Sequence, residues 1–277
     1  MNLTLKSLID ASGCDLSDSD AARSRKISAA ARTLAVLSAI AAVLCAAAYF
    51  TRIPHGALAV PALLILLLAL YQITLGAKKR TVSILFDKCD PEGFLKKYLT
   101  YAASGVFGSE WDEHFFNVSA ALYSAGRFDE GRKVLSLFEK LDLNEKGRFR
   151  LALAKAFYAY EEGDAEELDS ALYAAKVERQ KIDTTGQLED MYREAEDLPV
   201  MLSVIIKRDY KMGFEAFASG PDKKGSSEYR SNLSKVRYDH FLLTLAKGME
   251  DDYLIKRYSD EIKKIGGTTW YRKEVEN

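Results

Sequence analysis

Few side chains in this 277-residue sequence have the type and spacing that chemistry requires. The three cysteines, Cys14, Cys45 and Cys89, stand far apart and form no CxxC pair. An odd, scattered set suits a reducing compartment and unbridged thiols. The three histidines, His55, His114 and His240, belong to no HExxH motif and no His/Cys cluster, so no zinc ligand set is in view. Glu110, Asp112, Glu113 and His114 have the composition of a cation site. Acids at this density also suit the first turn of a helix, where the dipole favours them, and that reading is preferred. Gly220-Pro221-Asp222-Lys223-Lys224-Gly225-Ser226-Ser227 has the outline of a phosphate loop. It places Ser226 where the loop lysine is required, and no strand precedes it, so it reads as a flexible linker. There is no GxGxxG and no GxSxG elbow. The sequons at Asn2, Asn117 and Asn232 carry no weight on a chain expected to face the cytoplasm. The chain is therefore expected to be no enzyme, with no cofactor and no metal.

The overall balance of 39 basic and 40 acidic residues gives no electrostatic footprint for nucleic acid. It also hides a division. Residues 1–80 carry nine basic and four acidic side chains, a net of +5, which leaves 30 basic and 36 acidic residues in 81–277. The basic part contains two uncharged runs, 33–51 and 56–77, joined by Arg52-Ile53-Pro54-His55. A helix needs roughly 20 apolar residues to cross a bilayer, and both runs qualify. The short connection makes them antiparallel. The basic flanks (Arg23, Arg25, Lys26 and Arg32 before, Lys78, Lys79 and Arg80 after) place both ends in the cytoplasm under the positive-inside rule. Two readings are weaker: a pair of buried core helices, and a cleavable signal peptide with its cut near Ala46-Ala47-Ala48, whose core would be shorter and lie nearer the start. The expectation is thus a multi-pass plasma-membrane protein with a two-helix transmembrane hairpin over 27–80. Ser38, Ala42 and Ala46 fall on one stripe of small residues, the packing face of that hairpin. The first 26 residues are expected as a flexible cytoplasmic leader, with Leu5, Leu8 and Ile9 at helical spacing.

Residues 81–277 are expected as a cytoplasmic, all-α domain. Thr81 to Phe86 reads as helix continuing from the second run. Asp90-Pro91-Glu92 is a helix start, with Asp at the N-cap and Pro at the first helical position, and Phe94, Leu95, Tyr98 and Leu99 give that helix an apolar face. Helices then follow in pairs separated by small or polar breaks at Gly126, Gly163, Arg208-Asp209 and Met249-Glu250-Asp251. Ser109-x-x-Asp112, Asp164-x-x-Glu167 and Thr184-x-x-Gln187 have the form of capping boxes, and Asn144 is a further N-cap. No alternating strand pair and no Asn-Gly hairpin occurs. The tail after Gly266-Gly267 is expected to fray, with Trp270 and Tyr271 folding back onto the last helix.

Phe115-Phe116-Asn117-Val118-Ser119-Ala120-Ala121-Leu122-Tyr123-Ser124-Ala125-Gly126-Arg127-Phe128-Asp129-Glu130-Gly131 resembles a tetratricopeptide repeat: a large residue early in helix A, a small one mid-helix, and a Gly-x-aromatic-x-x-small turn opening helix B. Ala152 to Glu167 resembles a second copy, with Ala156 at the small position and Lys155 where the family has a buried apolar residue. The resemblance covers about 112–180. It implies a superhelix whose concave face, lined by the A helices, binds peptides. Its groove positions fall on Glu113, Phe116, Ala120, Tyr123 and Ser124, and on Arg150, Leu153, Phe157, Tyr160 and Glu161, where Arg150 would meet a peptide carboxylate. Packing between neighbouring helices is the competing role for these aromatics.

The expected function is that of a membrane-anchored scaffold or adaptor, integral to the bilayer, whose helical-repeat domain binds a protein or peptide partner and no nucleic acid. The first alternative is an accessory or regulatory subunit of a membrane complex assembled through the hairpin. The second is an enzyme with a dispersed acidic site.

Overall fold

The computed structural model describes residues 3–50, 67, 76–105, 110–184, 186–218 and 231–277. Among them there is no strand. The helices are α1 (Leu3–Ser12), α2 (Asp18–Phe50), a helical stretch over 76–86 (α3), α4 (Pro91–Ser104), α5 (Trp111–Ala125), α6 (Phe128–Phe138), α7 (Glu145–Glu162), α8 (Ala165–Arg179), α9 (Gln187–Lys207), α10 (Tyr210–Ala218), α11 (Asn232–Gly248), α12 (Asp252–Ile265) and α13 (Trp270–Glu276). The chain divides into two compact units. One comprises 15–82 and 96–109 together with Met1, and the other 2–14, 83–95 and 110–277.

In the first unit, Ser17 and Asp20 cap α2 reciprocally. The Ser17 amide donates to Asp20 Oδ2 at 3.2 Å and the Asp20 amide to Ser17 Oγ at 3.3 Å. Lys96 pairs with Asp20 at 3.2 Å. The expectation of a multi-pass plasma-membrane protein is overturned here: among the described residues no helix is long and apolar enough to cross a membrane. The apolar run from Thr33 is no helix of its own. It is the second half of a 33-residue helix whose first half bears Asp18, Asp20, Arg23, Arg25 and Lys26. The run 56–77 and the connection 52–55 lie outside the described residues, except for Leu67, Gly76 and Ala77. The small-residue stripe does not share one environment: Ser38 is buried, whereas Ala42 and Ala46 are exposed. Beside them Val36, Leu37, Ile40 and Val43 are all at least half exposed.

The second unit begins with a difference from the sequence reading. Part of the stretch expected as a flexible leader is α1, which packs against α6 and α5. Leu5 and Leu8 are buried, so their helical spacing has a partner face. Arg127 Nη2 donates to the Ser12 carbonyl at 2.7 Å and holds the end of α1. The paired helices follow the breaks read from the sequence. Gly126 and Gly163 adopt left-handed conformations (φ 76° and 73°) that close α5 and α7, and Arg208 and Glu250 take the same region at φ 59° and 55°. Asn144 and Asp164 cap α7 and α8 through the amides of Gly147 (2.8 Å) and Glu167 (2.9 Å). Thr184 does not cap α9. That helix starts behind Gly186, and the Thr184 hydroxyl donates to Glu189 instead. Ser109 lies outside the described residues.

The two repeat-like pairs, α5–α6 and α7–α8, stack through aromatic and small residues. Phe115 and Phe138 stack at 5.7 Å within the first pair. Gly131 on α6 lies where a Cβ would overlap the Tyr158 hydroxyl, so α7 approaches α6 as closely as a missing side chain allows. Tyr158 donates to the Ser119 carbonyl at 2.8 Å and is fully buried. Lys155, the residue that strained the register of the second copy, reaches the Glu139 carboxylate at the end of α6. A half-buried ion pair thus replaces the apolar contact expected there.

Candidate functional site

The groove positions all lie in the second unit, on α5 and α7, and the structure brings four of the ten together. Phe116, Ala120, Tyr123 and Phe157 line one cavity with Met191 of α9 and Arg237 of α11. Tyr123 is the hub. Its ring meets those of Phe128, Phe157 and Tyr158 edge-on at 5.7, 5.9 and 5.4 Å. The free volume is about 10 Å³, near the least that holds one water. Phe116, Tyr123 and Phe157 are buried, and of the ten groove positions only Glu113, Ala120, Tyr160 and Glu161 keep partial exposure.

The groove is filled by the chain itself. From α11, Arg237 enters with its guanidinium 5.0 Å from the Phe157 ring centroid. It pairs bidentately with Glu194 of α9 at 2.5 and 2.7 Å. From α13, which packs against α5, Tyr271 is buried close to Tyr123. Burial is the main reason that both phenols sit above their ordinary pKa. Glu161, next to Tyr160, accepts from the Tyr123 hydroxyl at 3.3 Å. Burial pushes its carboxyl up, against the opposing pull of His240 and Tyr123.

Arg150 does not face an open groove. Its Nη1 meets Asp112 Oδ2 at 2.5 Å and its Nη2 lies 3.7 Å from Glu113 Oε2, with the side chain 8 % exposed. The guanidinium offered to a peptide carboxylate is therefore matched within the chain, and the same pairing gives Asp112 and Glu113 a partner. His114 is buried against Trp111, ring centroids 5.4 Å apart. Among the described residues no group of three or more His, Cys, Asp and Glu is placed to hold a metal ion.

Sequence reasoning missed Arg237, Glu194 and Met191. They lie on α9 and α11, 24, 27 and 70 residues past the end of the second repeat-like copy at Glu167 for Met191, Glu194 and Arg237, and nothing in their local spacing points at Phe157. Trp270 and Tyr271 were expected against the last helix. α13 does pack on α12, and the two rings also lie 4.9 and 5.0 Å from His240 of α11 and continue to α5 and Phe128.

No protein-family model, no curated protein and no solved structure matches this chain.

Proposed function

We propose that this chain is a helical-repeat adaptor, similar in plan to tetratricopeptide-repeat proteins, whose A-helix face on α5 and α7 receives a protein or peptide partner. One observation carries the reading: that face already holds a helix. The aromatic positions Phe116, Tyr123 and Phe157 converge on one spot, and what they hold is an arginine and a tyrosine presented by two other helices. Aromatic side chains with few rotamers give large contact area at low entropic cost, and a cation over a ring adds specificity. The partly exposed rim residues Glu113 and Tyr160 are where a partner first makes contact.

The test is photocross-linking in cells. Benzoylphenylalanine replaces Tyr160 on the rim or, as a control, Tyr173 on α8, which is 73 % exposed. A discrete partner captured from position 160 and absent from position 173 supports the adaptor. Identical capture from both positions, or none from 160, overturns it.

A second reading has its own observation. The ridge of Val36, Leu37, Ile40 and Val43 on α2 is exposed, and clustered apolar surface marks contact sites. On this reading the chain is an accessory subunit that docks through α2, and Val43→Glu abolishes assembly while changes at Tyr160 do not.

A further inference from the structure

α13 closes one end of the groove through three side chains. Trp270 rests against the left-handed turn at Gly126, where a Cβ would come within 2.7 Å of the Trp270 Cβ, and meets Phe128 edge-on at 5.8 Å. Tyr271 is buried where α13 packs on α5, with its ring 5.0 Å from that of His240. Glu274, one turn later, meets His240 Nε2 at 2.7 Å and Lys247 Nζ at 3.0 Å. The remaining face, with Lys273 and Glu276, is exposed.

The docking is imperfect. Trp270 Nε1 is buried with no hydrogen-bond partner, an unmet donor that weighs against the docked state. The loop before α13 is by contrast well held. The Thr268 amide donates to the Cys89 carbonyl at 2.8 Å and its hydroxyl to Asp90 Oδ1 at 2.8 Å. Opening between Thr268 and Trp270 therefore releases α13 from α12, α11 and α5 while the Thr268 bonds hold the preceding loop in place.

We propose that α13 is a displaceable internal ligand of the A-helix face. The partner that replaces it is a helical segment presenting two adjacent aromatics and, one turn later, a carboxylate. This rests on the reading of that face as a binding surface. A ligand tethered this closely acts at an effective concentration on the order of millimolar. A free segment of the same chemistry gains access only in proportion to the fraction of chains with α13 released, so the contact is autoinhibitory.

The test uses the full chain and a fluorescent peptide of residues 268–277, read by anisotropy. Three chains are compared: unaltered, Glu274→Lys, and Trp270→Ala with Tyr271→Ala. The expected result is binding to both variants at least about tenfold tighter than to the unaltered chain. A peptide with both aromatics replaced by Ala binds none of them. Glu274 is 40 % exposed, so Glu274→Lys leaves the core intact. If that variant fails to fold, α13 is structural support and the proposal is overturned. No peptide binding to whichever variants fold also overturns it. Peptide failure with the Tyr160 cross-link retained removes the internal ligand and keeps the adaptor. Peptide binding without any cross-link does the reverse.

Discussion

The Arg237 guanidinium lies 5.0 Å from the centroid of the Phe157 ring. Phe157 is a position of the binding face proposed above, and the cation facing it comes from this chain's own α11. The arginine is nearly sealed from solvent at 7 % exposure and matched by Glu194. A cation over a desolvated ring contributes roughly 1–2 kcal/mol. The greater consequence is that the charge must stay paired.

Arg237→Ala leaves the Glu194 carboxylate without its partner beside an apolar cavity. Breaking a buried pair from one side costs about 3–5 kcal/mol; Glu194 is 21 % exposed, so a loss near the lower bound is expected. Arg237→Met combined with Glu194→Met recovers most of it. Urea unfolding of the unaltered chain, Arg237→Met, Glu194→Met and the double variant checks this. An additive double variant, as destabilised as the two single changes together, would count against a coupled pair.

Gly131→Ala forces a Cβ into the Tyr158 hydroxyl. Tyr158 is about 1 % exposed and tied to the Ser119 carbonyl, so the ring has nowhere to go. Overpacking of this kind costs about 1–3 kcal/mol. The penalty is expected to shrink in a Tyr158→Phe background, measured as a double-mutant cycle on thermal unfolding.

Glu274 gives the docking of α13 an acid limit. The hydrogen bond from His240, opposed by partial burial and aided by Lys247, holds its carboxyl at about 2. A depressed folded-state pKa means stability that is present above the unfolded value, near 4.5, and lost as pH falls toward 2. The carboxylate is 40 % exposed, so screening keeps the effect below about 1 kcal/mol. Hydrogen exchange over 270–276 should quicken between pH 4.5 and 2.5 relative to that over α11, and Glu274→Gln should remove the pH dependence.

Glu161 has the opposite sign. Burial raises its carboxyl above the ordinary value of 4.5, so the folded state binds a proton that the unfolded state has released. Its contribution to stability therefore falls as pH rises past the unfolded value. Glu161→Gln, which can still accept from Tyr123, is expected to raise the melting temperature at pH 7 and to match the parent near pH 4.

Burial pushes the Cys89 thiol to about 12, with Arg237 pulling the other way. The thiolate is the nucleophile, so iodoacetamide at pH 7.5 is expected to leave Cys89 unmodified in the folded chain and to label it in denaturant, by peptide mass spectrometry. Labelling at equal rates in both states would mean that the 87–90 loop opens freely.

The sequence by itself determined the helices and most of their ends, because those are local. Asn144 and Asp164 bond amides three residues away, and the break at Gly126 needs only a backbone free to turn left-handed. The resemblance to a tetratricopeptide repeat also marked Phe116, Tyr123 and Phe157 as a set; helical spacing alone puts Phe116 and Tyr123 on one face of α5 and does not reach Phe157 on α7. Local composition misled where the whole element mattered. The apolar run from Thr33 belongs to one continuous helix with a charged first half, and among the described residues no helix is long and apolar enough to cross a membrane. What the groove holds was set by long-range packing. Arg237 meets Phe157 across 80 residues of sequence and Tyr271 meets Tyr123 across 148. Such pairings are selected by the shape of the assembled face and by the cost of leaving a buried charge or hydroxyl unmatched, and no periodicity within either helix records them.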